Sequence, residues 1–177
     1  MRDRRGFTLV ELMIVITIVG IGLLLAVTNL QRWVYQTNAR GFQREVFSRL
    51  QEARIRASSS GGRHRVVLDL GNETAVLQRQ LTGASTWSDI SLPQVKAPTG
   101  SGIASVTPYP SGTAVTDNNT YAFIFNPSGE AYGQSPVGNN NTNIASIDNA
   151  VILLTGANPQ DTASITVFGW TGKARLN

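Results

Sequence analysis

The sequence contains no cysteine. That excludes a disulfide scaffold, a thiol nucleophile and every cysteine-ligated metal or iron–sulfur centre. A single histidine, His64, leaves little material for a histidine metal site or a charge-relay triad. Charged residues are scarce, at 15%, against roughly 25% in an average globular chain. No Walker A loop, dinucleotide fingerprint or zincin motif occurs. These absences argue against an enzyme. His64, between Arg63 and Arg65, reads as an exposed strand residue without a catalytic role.

What the chain has is length for one domain, 177 residues, of which 41% are hydrophobic. Gly, Ser, Thr and Asn are abundant, which favours a loop-rich β protein. No repeat of 20 to 50 residues is visible. The net charge of +4 is unevenly distributed. Residues 1–6 carry three Arg and one Asp, and residues 7–65 carry eight Arg and three Glu. Residues 66–177 carry four basic and seven acidic residues, a balance of −3. A basic chain suggests nucleic acid. Here the positive charge precedes the body, which suits a membrane-proximal region better.

Residues 7–27 contain one charge, Glu11. As a helix they span roughly 31 Å at about 1.5 Å per residue, the thickness of a bilayer core. Arg2, Arg4 and Arg5 flank the run on its N-terminal side. The positive-inside rule then keeps the N-terminus cytoplasmic and exports the remainder. A cleaved secretory signal is the rival reading. It needs an apolar run of about 7–15 residues and a small-x-small site, and neither fits. Trp33 and Tyr35 follow the run, either as interfacial aromatics or as packing residues under a β domain.

From residue 28 to 57 there is no Pro and one Gly, Gly41. Phe42, Val46, Leu50, Ala53 and Ala57 are spaced by four, four, three and four, one face of a helix. One continuous helix of about 50 residues is predicted, apolar all round in its first half and amphipathic in its second. Ser58-Ser59-Ser60-Gly61-Gly62 stops it.

Short β segments follow. Residues 64–70 and 74–80 form a hairpin across Gly71-Asn72. Residues 82–119 read as loops with edge strands near 87–92 and 103–107. Strands are predicted at 120–126, 150–155, 164–170 and 173–176, with a polar loop over 133–149. The expected organisation is a leader at 1–6, a transmembrane helix half at 7–27, an amphipathic half at 28–60 and a β-rich head at 61–177. The fold class is α+β, a long N-terminal helix packed on an antiparallel sheet or sandwich.

The stretch Arg5-Gly6-Phe7-Thr8-Leu9-Val10-Glu11 carries chemistry. A carboxylate near the bilayer centre costs about 2.5–3.5 kcal/mol even on the lenient scale, so such a residue usually has a partner. A cut after Gly6 creates an α-amino group at Phe7, about one helical turn from Glu11. Amine and carboxylate then neutralise each other, within a chain or between neighbours. The bland reading is a plain anchor with Glu11 near the headgroups.

This stretch resembles the class III leader of type IV pilins and type II secretion pseudopilins: Gly6, Phe7, Thr8, Leu9, a variable residue, Glu11, then Leu12-Met13. The resemblance implies cleavage by prepilin peptidase between Gly6 and Phe7, N-methylation of Phe7 and use of Glu11 in filament assembly. Implied partners are other pilin or pseudopilin subunits, the peptidase, an inner-membrane assembly platform, and membrane lipid before assembly. No cofactor or metal is implied.

Residues 121–129, 151–154 and 165–167, closing in Gly172-Lys173-Ala174-Arg175, resemble the C-terminal domain of the GspH/FimT family of minor pilins and pseudopilins. Two departures from major pilins agree: no cysteine for a C-terminal disulfide loop, and Thr28 where many carry Pro. Some FimT-type minor pilins capture DNA through a closing Gly-Arg-x-Arg. Lys173 and Arg175, at i and i+2 on one strand face, keep that charge, although Lys lacks the bidentate fork. The alternative is a charged, protected sheet edge. Asp117-Asn118-Asn119 offers calcium oxygens but more often makes a turn. The reading is a minor pilin or pseudopilin, in the inner membrane with a periplasmic head and then in a pseudopilus or pilus, with DNA capture as the alternative.

Overall fold

The structure of the chain, a computed structural model, describes residues 8–156 and 161–177, apart from the side chains of residues 25–29, 31 and 32. Gly6 and Phe7 lie outside the described residues, as do the side chains of residues 25–27 at the end of the 7–27 run. Two compact units divide the chain, residues 1–35 and 36–177.

A single helix, α1, runs over Leu9–Ser60, 52 residues without interruption. Its C-terminal stop falls where the sequence places it. The Ser58 and Ser60 hydroxyls turn back to donate to the carbonyls of Arg54 and Arg56, at 3.1 and 2.7 Å. Gly61 then adopts a left-handed φ of 66°, the helix-ending conformation that a side chain penalises.

In the first unit the described apolar side chains from Leu9 to Leu24 are exposed. Among the described residues, no helix is long and apolar enough to cross a membrane. Trp33 and Tyr35 are exposed.

In the second unit, α1 buries Phe42, Val46, Leu50, Ala53 and Ala57, the predicted stripe, with Ala39 one turn earlier. Among the described residues, twelve strands form two antiparallel sheets. The first sheet contains β1 (Arg63–Asp69), β2 (Thr74–Gln80), β3 (Ser88–Asp89) and β4 (Val95–Lys96). It is completed by β7 (Thr120–Phe125), β8 (Ala131–Gln134) and β9 (Ile144–Ser146), in the order β3-β2-β1-β7-β8-β9 with β4 also on β2. The second contains β5 (Gly102–Tyr109), β6 (Val115–Thr116), β10 (Asn149–Thr155), β11 (Thr162–Phe168) and β12 (Ala174–Leu176), ordered β12-β11-β10-β5-β6. Strand alternation sends Val66 and Leu68 of β1, and Tyr121, Phe123 and Phe125 of β7, into one core with the helix stripe and Ile152 and Ile165.

Two expectations are corrected. Residues 102–109 form not an edge strand but an interior one, paired with β10 on one side and β6 on the other. Pro108 and Gly102 disguise it locally. The apolar partner β10 supplies the pairing, and packing context overrides strand propensity. Residues 133–149 are not one loop: β8 and β9 flank it and extend the first sheet.

Candidate functional site

The N-terminal site is built on Thr8. Its carbonyl accepts from Leu12 N–H at 3.2 Å and its hydroxyl accepts from Glu11 N–H at 3.3 Å. Thr8 is therefore the N-cap of α1, and Glu11 is the third helical residue, in its first turn. Thr8-x-x-Glu11 is the capping-box pattern, which the sequence reading passed over although its signal was present. The carboxylate complements the positive end of the helix dipole. Among the described residues its chain neighbours Leu9, Val10, Leu12 and Met13 are exposed apolar side chains. The helix start thus presents one anionic group in an apolar surface. Its predicted counterpart, the Phe7 amine, belongs to the undescribed residues.

Lys173 and Arg175 stand at i and i+2 at the start of the edge strand. β12 begins at Ala174, and Lys173 immediately precedes it. There its N–H donates to the Thr171 hydroxyl at 3.3 Å and its carbonyl accepts from Phe168 N–H at 2.9 Å. Arg175 lies opposite Thr166 on the sheet edge. Both basic side chains are exposed.

His64 is buried, at 6% exposure, which corrects the expectation of an exposed residue. Alternation along β1 turns it inward with Val66 and Leu68. Nδ1 donates to the Gly62 carbonyl at 3.2 Å. Burial lowers its pKa, and Arg56 and Arg79 lower it further, against the raising effect of the Gly62 bond. Asp117 takes a φ of 50°, and the Asn119 amide donates to the Thr116 carbonyl at 2.6 Å. The Asx cluster is thereby used as a turn. Among the described residues no group of three His, Cys, Asp or Glu could hold a metal ion.

The buried residue that sequence reading missed is Arg65, 1% exposed. Nε donates to Gln78 at 2.6 Å, and Nη1 donates to Gln134 at 2.7 Å and to the Gly138 carbonyl at 2.8 Å. Trp87 covers the guanidinium, its ring centre 4.4 Å away. Burial pulls the group down to about 10 against the opposing influence of Asp89, so it stays charged at neutral pH. Gln134 in turn donates to the carbonyls of Asn140 and Thr142 at 3.1 and 2.7 Å. The network pins the loop between β8 and β9 to the outer face of the first sheet. Arg65→Ala should lower stability by about 3 kcal/mol, and Arg65→Lys should rescue little because it lacks the planar fork. Denaturant midpoints, with amide exchange at residues 139–143, measure both. A wild-type midpoint for Arg65→Ala would remove the network's role.

Residues 1–27 match the prokaryotic N-terminal methylation motif. No curated protein matches the chain significantly. Among solved structures, one of the minor pseudopilin EpsH from the type 2 secretion system of Vibrio cholerae has a TM-score of 0.56 at 13% identity, covering 78% of this chain and 94% of that one. A second EpsH structure gives 0.57 at 12%, covering 80% and 97%. The type IV minor pilin FimU of Pseudomonas aeruginosa gives 0.44 at 13%, covering 83% and 90%. At such identities the EpsH likeness is one of fold, and it agrees with the α+β architecture expected from the sequence.

Proposed function

We propose that this chain, which joins a pilin-like fold to a prokaryotic N-terminal methylation motif, is a minor pilin or pseudopilin. It is a structural subunit of a type IV pilus or a type II secretion pseudopilus. Prepilin peptidase cuts between Gly6 and Phe7, and the new amine of Phe7 is methylated. The 7–27 run holds the subunit in the inner membrane with the head outside the cytoplasm. During assembly, helix packing in the filament replaces lipid around that run. Glu11 then pairs with the Phe7 amine of a neighbour.

The observation that carries this reading is the first turn of α1. The matched methylation motif, residues 1–27, runs into a capped helix whose described apolar side chains from Leu9 to Leu24 are exposed and whose first turn carries one carboxylate, Glu11. A buried carboxylate is tolerated where an opposite charge meets it. The head holds the helix stripe rigidly and leaves its other surfaces for neighbours.

Mass spectrometry of the membrane-extracted protein tests the reading. The expected N-terminus is N-methylated Phe7. An intact Met1, or a cut near residue 28, overturns it.

A further inference from the structure

Trp170 is 77% exposed, the most exposed large apolar side chain among the described residues. It does not ride on a loose loop. Gly169 beside it donates its N–H to the Asp148 carbonyl at 2.9 Å and accepts from Ala131 N–H at 2.7 Å. A Cβ at Gly169 would lie 1.7 Å from the Ile147 carbonyl oxygen, so only glycine permits this approach. The turn between β11 and β12 is thereby clamped to β8, at the seam of the two sheets.

At that seam Trp170, Tyr132, Glu130 and Ile147 line a cleft of about 180 Å³, the size of one long side chain. Glu130 Oε2 accepts from the Tyr132 hydroxyl at 3.0 Å and the Ser128 hydroxyl at 3.3 Å. Its Oε1 has no partner among the described residues. Two aromatic rings beside a fixed carboxylate form the chemistry that holds a cation, through ring quadrupole and charge together.

The same chain exposes matching cations. Arg40 and Arg44 stand one turn apart on α1, exposed, with no ion pair among the described residues. The other described arginines of α1 are engaged: Arg49 and Arg56 pair with Glu52, and Arg54 donates to the Thr171 carbonyl at 2.9 Å. That last bond sets the cleft's turn level with residue 54. Arg44 and Arg40 lie ten and fourteen residues earlier, roughly 15 and 21 Å along the axis. Within one copy they stand too far away to enter the cleft. A copy displaced along the helix axis by that amount brings them level with it.

We propose that the Glu130–Tyr132–Trp170 cleft is a docking socket for the Arg40–Arg44 pair of a second copy of this chain. The excess of basic residues before residue 66 and of acidic residues after it is the matching charge asymmetry. The inference rests on the filament reading for bringing copies side by side and goes beyond it in naming the contact.

The absence of native cysteine makes cross-linking clean. Ser146→Cys places a thiol on the cleft rim, and Ser48→Cys places one a helical turn beyond Arg44, both at exposed positions. The two full-length variants are co-expressed in the assembling cell and oxidised. The mixed dimer should exceed a Ser48→Cys with Thr82→Cys control by roughly tenfold, the factor that about 1.4 kcal/mol brings. Glu130→Gln and Trp170→Ala should each remove most of that excess without lowering the melting temperature. Glu130→Arg combined with Arg40→Glu and Arg44→Glu should restore it. No excess over the control, or an excess that survives both Glu130→Gln and Trp170→Ala, overturns the proposal. N-methylated Phe7 is measured in the same samples. Methylated subunit without the cross-link sinks the socket alone, whereas unprocessed subunit without it sinks the filament reading and the socket together.

Discussion

Glu11→Ala is expected to leave cleavage and methylation intact while incorporation into filaments falls by more than about tenfold, the effect of ~1.4 kcal/mol of lost association energy. The reason is the dielectric of a helical core. A carboxylate enclosed by Leu9, Val10, Leu12 and Met13 side chains and their neighbours' equivalents needs a cation. A methylated amine at the Phe7 end supplies one at close range, where attraction exceeds its value in water. Alanine leaves that amine buried without its counter-charge. Glu11→Asp shortens the reach by one methylene and should give a partial defect. Thr8→Ala separates this role from capping. It removes the helix cap, worth about 1 kcal/mol, but keeps the carboxylate. If Glu11 merely stabilised the helix start, the Thr8 and Glu11 variants would behave alike. The ratio of subunit in sheared filaments to subunit in membranes measures the effect, with the head's melting temperature as control. Equal incorporation of wild type and Glu11→Ala would falsify the pairing.

Val46→Asp should unfold most of the head. Val46 is fully buried in the cluster formed by the helix stripe and the strands. An unpaired carboxylate there costs several kcal/mol, about 4–5 by the usual range for such changes. That consumes much of the ~5–15 kcal/mol by which domains of this size are stable. Val46→Ala, which leaves only a small cavity, should cost about 1–3 kcal/mol. Asn38→Asp, at an exposed position of the same helix, should stay within about 0.5 kcal/mol. Denaturant unfolding of a chain beginning at residue 28 separates the three. A wild-type midpoint for Val46→Asp would show that the stripe does not carry the packing.

The local patterns legible in the sequence were those with a short physical range. The helix was visible because Phe42, Val46, Leu50, Ala53 and Ala57 repeat at its period, and its end because Gly61 accepts a left-handed φ. The β1–β2 hairpin was visible because two branched segments flank Gly71-Asn72, and the register Arg63↔Gln80 to Asp69↔Thr74 follows. The first-turn carboxylate was visible because one charge interrupts a long apolar run. Other features depend on residues far apart in the chain. β5 became an interior strand only because β10, more than 40 residues later, pairs with it through Ile152↔Val106. His64 and Arg65 look equally polar on paper. Alternation buries one against the core, while Gln78, Gln134, Gly138 and Trp87 bury the other on the outer face. Lys173 joins the β11–β12 ladder through the Phe168–Lys173 bond, one rung beyond the pairing Val167↔Ala174, a placement that depends on where β11 runs. The Trp170 cleft exists only because Gly169 allows two sheets to meet. Periodicity, caps and an isolated charge are set by neighbours within a turn or two, so the sequence by itself determined them. Burial of a polar side chain and the company it keeps are set by which strands meet, and that only the tertiary structure decided.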